Sequence, residues 1–203
     1  MGFHTQAGGA QGRRYPWAVS DHVTAGEAGF FETQMGVGHP NILPTTVCAV
    51  VEHGGELLMV RQLNRDGEER WNFPTGWMEP VDEDGRVQLP EHSVNRNLLV
   101  ETGYAASDAH LVGISLVREH DPDGHRVGTS LRLNYVCEQL RQTSYAVNDP
   151  DILGAPEWFT PEQIDDLIAR TQVKGELTAA AFRHWRTYRE GGEMSTDIVD
   201  IPN

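Results

Sequence analysis

The stretch RNLLVETGY, residues 96–104, has the outline of a metal-binding helix that has shed most of its acids: a basic residue, an apolar run, one carboxylate and a terminal glycine. Glu101 is the group in it that can bind a hard divalent cation or take a proton from water. Other residues nearby in sequence have chemistry to offer. Trp71, Phe73 and Trp77 could stack on a flat base or line a pocket, and they could equally pack a core. Arg61 could reach an anionic group or simply charge a sheet edge. His92 titrates near neutrality, so it could replace a base or a ligand, or sit unused on the surface.

These groups need elements to position them. TTVCAVVEHGGELLMVRQ holds two β-rich runs around His53-Gly54-Gly55 and predicts an antiparallel hairpin. WNFPTGW reads as a short strand stopped by Pro74, followed by a polar loop from Glu79 to about Pro90. Residues 91–101 then place Val94, Leu98 and Glu101 along one side of a helix that ends near Thr102, with Gly103 as its left-handed cap. HLVGISLVRE and GTSLRLNYVCEQL flank HDPDGHRV, whose Asp-Pro-Asp-Gly core predicts a second hairpin. PEWFTPEQIDDLIAR runs from a short strand into a helix with Thr160 as N-cap and Pro161 in its first turn. A last helix is expected over Glu176 to Arg189, with Phe182 and Trp185 on its packing face. Strand pairs, a central helix, a second strand pair and terminal helices describe an α/β fold, a mixed central sheet sandwiched by helices.

The chain of 203 residues suits one globular domain with extensions. We divide it into an N-terminal extension over 1–40, partly disordered, a domain over 41–190 and a polar, frayed tail over 191–203. YPWAV and Phe30-Phe31 in the extension are apolar enough to dock on the domain or on a second copy in a homodimer. Sixteen Lys+Arg against thirty Asp+Glu leave a net charge of -14, which opposes contact with nucleic acid polymers and anionic membranes. No apolar run approaches the roughly 18 residues that span a bilayer, so a soluble, cytoplasmic protein is expected. Cys48 and Cys137 lie in strand-like runs without ligand spacing and read as reduced core residues.

With the elements in place, the chain resembles the Nudix hydrolases, whose signature is Gly, five residues, Glu, seven residues, then Arg-Glu-U-x-Glu-Glu-x-Gly-U with U apolar. FPTGWMEP is similar to the strand and loop that open this box, with Gly76 in the place of the signature glycine. RNLLVETGY supplies Arg96, Leu98, Glu101, Gly103 and Tyr104 in the frame of its second half. The hairpin CAVVEHGGELLMVRQ and the later EWFTPEQIDDL resemble the family's flanks, so the likeness covers about residues 42–190.

The resemblance implies an α/β/α sandwich and hydrolysis of a diphosphate-containing small molecule, a nucleoside diphosphate linked to another moiety, with Mg²⁺ or Mn²⁺. In the family three helix carboxylates meet on one face at i, i+3 and i+4 and bind the ions. Here those positions are Asn97, Val100 and Glu101. The loop departs too, with Asp82 in place of the signature Glu and thirteen residues, not seven, between it and Arg96. The family likeness therefore implies a reduced metal site: Glu101 as principal ligand, the Gly76 carbonyl and Glu79 assisting, and Arg96 orienting Glu101. Asp82, Glu83 and Asp84 either rebuild part of that site or form a solvated insertion. Glu119 is the candidate for a base from a later loop, or a polar residue of an exposed hairpin with His120 and Asp121. Arg61, Trp77 and Phe73 are the candidates for substrate contacts. Two other readings stay open: a ligand-binding or regulatory module that kept the fold after losing hydrolysis, and a scaffold recruited to non-hydrolytic chemistry.

Overall fold

The run TTVCAVVEH alternates its side chains between two apolar surroundings, and this decides the architecture. In a computed structural model of the chain, which describes residues 43–64, 66–78, 89–145, 147 and 149–202, this run is β1 (Thr45–His53). Val47, Ala49 and Val51 pack on one face with Val94 and Leu98, while Cys48 and Val50 pack on the other with Ile164, Phe182 and Trp185. Successive side chains of a strand point to opposite faces, so a strand that is apolar at every position needs a helical layer on each side. Those layers are α1 (Pro90–Thr102) on one face and α2 (Pro161–Ala169) with α3 (Glu176–Arg189) on the other. The expected α/β/α sandwich is therefore present.

Among the described residues the sheet has eight strands. β2 (Glu56–Leu63), β3 (Glu69–Asn72), β4 (Thr75–Trp77), β5 (Tyr104–His120), β6 (Arg126–Gln142), β7 (Glu157–Phe159) and β8 (Ser195–Pro202) join β1 in the order β3-β2-β1-β6-β5-β8, with β4 on β1 and β7 on β2. It is mixed, because β1 runs parallel to β6 and β5 parallel to β8 while the other pairs are antiparallel. The β1–β2 turn is Gly54-Gly55, both with positive φ (62° and 87°), the conformation that joins two strands with matching twist. Asp121 Oδ1 accepts the Asp123 and His125 amides at 3.0 and 2.8 Å and closes the β5–β6 hairpin. Cys48 and Cys137 are buried and unbonded to each other, as expected.

The helix ends also match their sequence signals. Gly103 caps α1 at φ 75°, its N–H donating to the Leu99 carbonyl. Thr160 caps α2 in a reciprocal box: the Gln163 amide donates to Thr160 Oγ1 at 3.3 Å, and the Thr160 amide donates to Gln163 Oε1 at 2.8 Å. Thr160→Ala is expected to cost about 1 kcal/mol and lower the melting temperature by roughly 2–4 °C. A thermal melt of the variant that superposes on the parent curve would show that the box adds nothing.

The C-terminal stretch departs from expectation. Instead of a frayed tail, Ser195–Pro202 forms β8 and pairs with Gly113–His120 of β5. Val199 turns inward and is buried, Asp200 meets Arg118 Nε at 3.0 Å, and Asp197 lies 3.4 Å from His184 Nε2. Its polar residues find partners that exist only once β5 and α3 are assembled. The extension over 1–40 lies outside the described residues. Among the described residues, no helix is long and apolar enough to cross a membrane.

Candidate active site

Two strands share β1, and the site forms where they part. β2 pairs with β1 only near Glu52 and His53, whereas β4 pairs with its opening residues Thr46–Cys48. Between them the chain passes through Phe73 and Pro74. Pro74 has no N–H to give a ladder, and its carbonyl instead accepts the Ala49 amide at 2.8 Å. The next amide, Thr75 N–H, points at the carboxylate of Glu101, 3.2 and 3.4 Å from its two oxygens. Thr75 Oγ1 accepts from Arg132 Nη2 at 2.6 Å and donates to the Phe73 carbonyl at 2.8 Å.

The loop and helix are locked together next door. A Cβ on Gly76 would lie 2.6–2.7 Å from the side-chain atoms of Asn97, so only a glycine lets this backbone approach α1. Arg96 Nη2 donates to the Trp77 carbonyl at 3.1 Å and lies 3.4 Å from Asn97 Oδ1. Gly76→Ala is expected to destabilise the fold by about 1–3 kcal/mol, the usual cost of overpacking. Asn97→Ala should restore part of that loss in a double-mutant cycle measured by denaturant unfolding. Additive effects would mean that the two residues do not meet.

Glu101 is only 2% exposed. Burial, and secondarily the charge of Asp149, push its carboxyl up to about 8, against the opposing pull of the Thr75 amide, Lys174 and Arg132. Arg132 is buried, and its Nε has no hydrogen-bond partner among the described residues. Lys174 comes from the segment joining α2 to α3. That segment is pinned to β3 by Trp71 N–H to the Gln172 carbonyl at 2.9 Å and Lys174 N–H to the Trp71 carbonyl at 2.8 Å. Lys174 Nζ donates to Gln62 Oε1 at 3.1 Å. Partial burial of the ammonium holds it below the usual lysine range, while Asp151, Glu101 and Asp149 oppose that shift.

Among the described residues, the donors on this helix face do not make up a cluster of metal ligands. Val100 offers no ligand atom, Asn97 Oδ1 faces the Arg96 donor, and Asn97 Nδ2 is a buried donor without a partner among the described residues. The face does suit a single ion carried by a phosphate substrate, because magnesium is commonly held by one or two carboxylates together with phosphate and water oxygens. Glu101 can be that carboxylate.

The other expected residues divide. Trp77 keeps its ring partly exposed beside the loop, but Phe73 is fully buried among core residues and presents no face to a ligand. Arg61 is engaged by Glu69 at 3.2 Å, by the Leu153 carbonyl at 3.3 Å and by the Trp71 ring at 5.8 Å. Glu119 pairs with Gly128 on β6, four residues and roughly 13 Å of strand from Arg132, outside the Thr75–Glu101 cluster. His92 is exposed. Glu79, Asp82, Glu83 and Asp84 lie outside the described residues. Lys174, Arg132, Asp149 and Asp151 were not singled out by their sequence surroundings. One signal was available for the first of these: Lys174 is the only lysine in the chain.

Residues 42–181 match the family model of the NUDIX domain. Among solved structures, a NUDIX hydrolase from Nitrosomonas europaea is 23% identical with a TM-score of 0.57, over 75% of this chain and 92% of that one. An ADP compounds hydrolase is 18% identical with a TM-score of 0.58, over 73% and 74% of the two chains. The NUDIX domain of Shewanella oneidensis NrtR, solved in complex with ADP ribose, is 16% identical with a TM-score of 0.54, over 77% and 97%. At these identities the likeness is one of fold. No curated protein matches the chain.

Proposed function

The chain belongs to the NUDIX family, and from that premise we propose that it hydrolyses a diphosphate-containing small molecule, a nucleoside diphosphate linked to a second moiety. The observation that carries this reading is Glu101: a carboxylate kept in the interior at the loop–helix junction, with one backbone amide aimed at it and two cations acting on it. Strongly perturbed acids set among specific charge partners concentrate at active sites. ADP ribose, bound by one structural neighbour, and the ADP compounds of another have the chemistry proposed for the substrate.

In this mechanism a water oxygen forms a bond to one phosphorus while the bridging P–O bond breaks, and the water proton passes to Glu101. In the metal-free site burial already raises the proton affinity of this carboxyl toward neutral pH. Glu101, with the Gly76 carbonyl and Glu79, would hold one Mg²⁺ or Mn²⁺, which neutralises diphosphate charge and makes bound water more acidic. Thr75 fixes the carboxylate through its amide, and Arg132 fixes Thr75. Arg96 holds the loop by its bond to Trp77, and the exposed Trp77 ring is the surface for a base.

Asn97 and Val100 favour the second reading, a ligand-binding module without hydrolysis. A panel of nucleoside diphosphate conjugates, assayed with Mg²⁺, with Mn²⁺ and with chelator, separates the two. Metal-dependent release of a nucleoside monophosphate is expected. No product from any member, together with a raised melting temperature in its presence, would establish the binding module instead.

A further inference from the structure

We propose that Lys174 is a resident anchor for the diphosphate, gripping its oxygens without a metal ion. This rests on the diphosphate substrate class proposed above. Each of the other fifteen basic residues is an arginine, so an ammonium has been placed once in the chain; it sits against β2 and β3, where its charge acts on Glu101. The two groups differ in use: a guanidinium is a rigid planar fork, an ammonium a compact charge with three rotatable donors.

The anchor is held from both ends. Its backbone is tied to Trp71 through Gln172 and Lys174 itself. Its Nζ bonds to Gln62 Oε1, and Gln62, itself buried, is set by Asn72 Nδ2 at 3.1 Å. Asn72 Oδ1 in turn accepts from Thr178 Oγ1 on α3 at 2.8 Å. Gln62 takes one of the three ammonium protons and is its only hydrogen-bond partner among the described residues. Two donors remain for a ligand, and Lys174 is exposed enough for one to arrive from solvent.

The charges around it explain why a cation is needed there. Asp149 and Asp151, and Glu101 once ionised, act on Lys174 as negative neighbours and would repel a diphosphate, while Arg132 is the second cation. Arg132 adds an independent pointer, a buried Nε with no partner among the described residues. A helix face with three acids would recruit charge in the form of several ions. With Asn97 and Val100 in two of those places, fixed side-chain cations take over part of that neutralisation.

The lone lysine makes the test direct, because isotopically labelled lysine reports a single side chain in the full-length protein. It is titrated in chelator with ADP, inorganic pyrophosphate and AMP. The lysine resonance is expected to shift saturably with ADP and pyrophosphate, at much lower concentration than with AMP. A shift with ADP alone would still support the anchor and assign it to nucleotides, whereas equal response to AMP or no response to any of the three would overturn it. By calorimetry in chelator, Lys174→Met should weaken ADP binding by roughly 10- to 100-fold, with Lys174→Arg recovering part. Unchanged affinity in Lys174→Met would also overturn the anchor. Binding through Lys174 without any turnover would sink hydrolysis and leave the anchor standing; turnover with Lys174→Met binding as the parent does would do the reverse.

Discussion

Glu101→Gln is expected to lower turnover by roughly 10²- to 10⁴-fold, about 3–5 kcal/mol of barrier, while making the protein more stable at alkaline pH. The two effects have one cause. Glutamine keeps the shape and an oxygen for the Thr75 amide, but it can neither take the water proton nor carry the charge that a metal ion needs. The sign of the stability effect follows from proton binding. Glu101 titrates at about 8 in the fold against an ordinary 4.5, so between those values the folded state holds a proton that the unfolded chain has released. Folding stability therefore falls as pH rises through this window, by up to about 1.4 kcal/mol per pH unit. Its favourable contribution is complete below about 4.5 and gone above about 8. The variant lacks this slope. Thermal melts in chelator should therefore coincide near pH 5 and separate near pH 9, with Glu101→Gln the more stable. Parallel curves at both pH values would show that Glu101 ionises in the fold as it does in water. Turnover that survives the substitution would remove Glu101 from the chemistry.

Phe73→Ala is the second large expectation, and it concerns stability instead of substrate. The ring is fully buried, in the cluster that contains Cys48, Val50, Met59, Phe182 and Trp185. Truncating a buried phenylalanine removes its transfer free energy and leaves a cavity, at a cost of about 3–5 kcal/mol. In a fold of this size the melting temperature should drop by roughly 6–20 °C. Trp77→Ala, at an exposed ring, should change stability by less than about 1 kcal/mol and act on KM. A Phe73→Ala protein that melts like the parent but binds substrate poorly would return Phe73 to the ligand side of the loop.

These two aromatic residues show what kind of information the sequence carried. They sit four positions apart, Phe73 just after β3 and Trp77 at the end of β4, and residue type does not separate a core ring from an exposed one. Pro74 decides it, by turning the chain from β3 to β4 and leaving Phe73 beneath the sheet. Features that depend on near neighbours were legible: the Gly54-Gly55 turn, the Gly103 cap, the Thr160 cap and the apolar faces of α1 and α3. So was the family, which the match over residues 42–181 shows. β8 was not legible as a strand, since a parallel edge strand has no hydrogen bonds until β5 is there to receive it. Lys174 and Arg132 were equally hidden, lying far from Glu101 in sequence and reaching it only through packing.

By itself, then, the sequence determined the family and the sandwich, because turns, caps and side-chain periods are written within a few residues. Only the tertiary structure decided that Glu101 is desolvated, which cations oppose its charge, and that Phe73 is core while Trp77 is surface. Burial and Coulomb interactions are properties of groups brought together through space, and their strength is set by how much water the fold removes from between them.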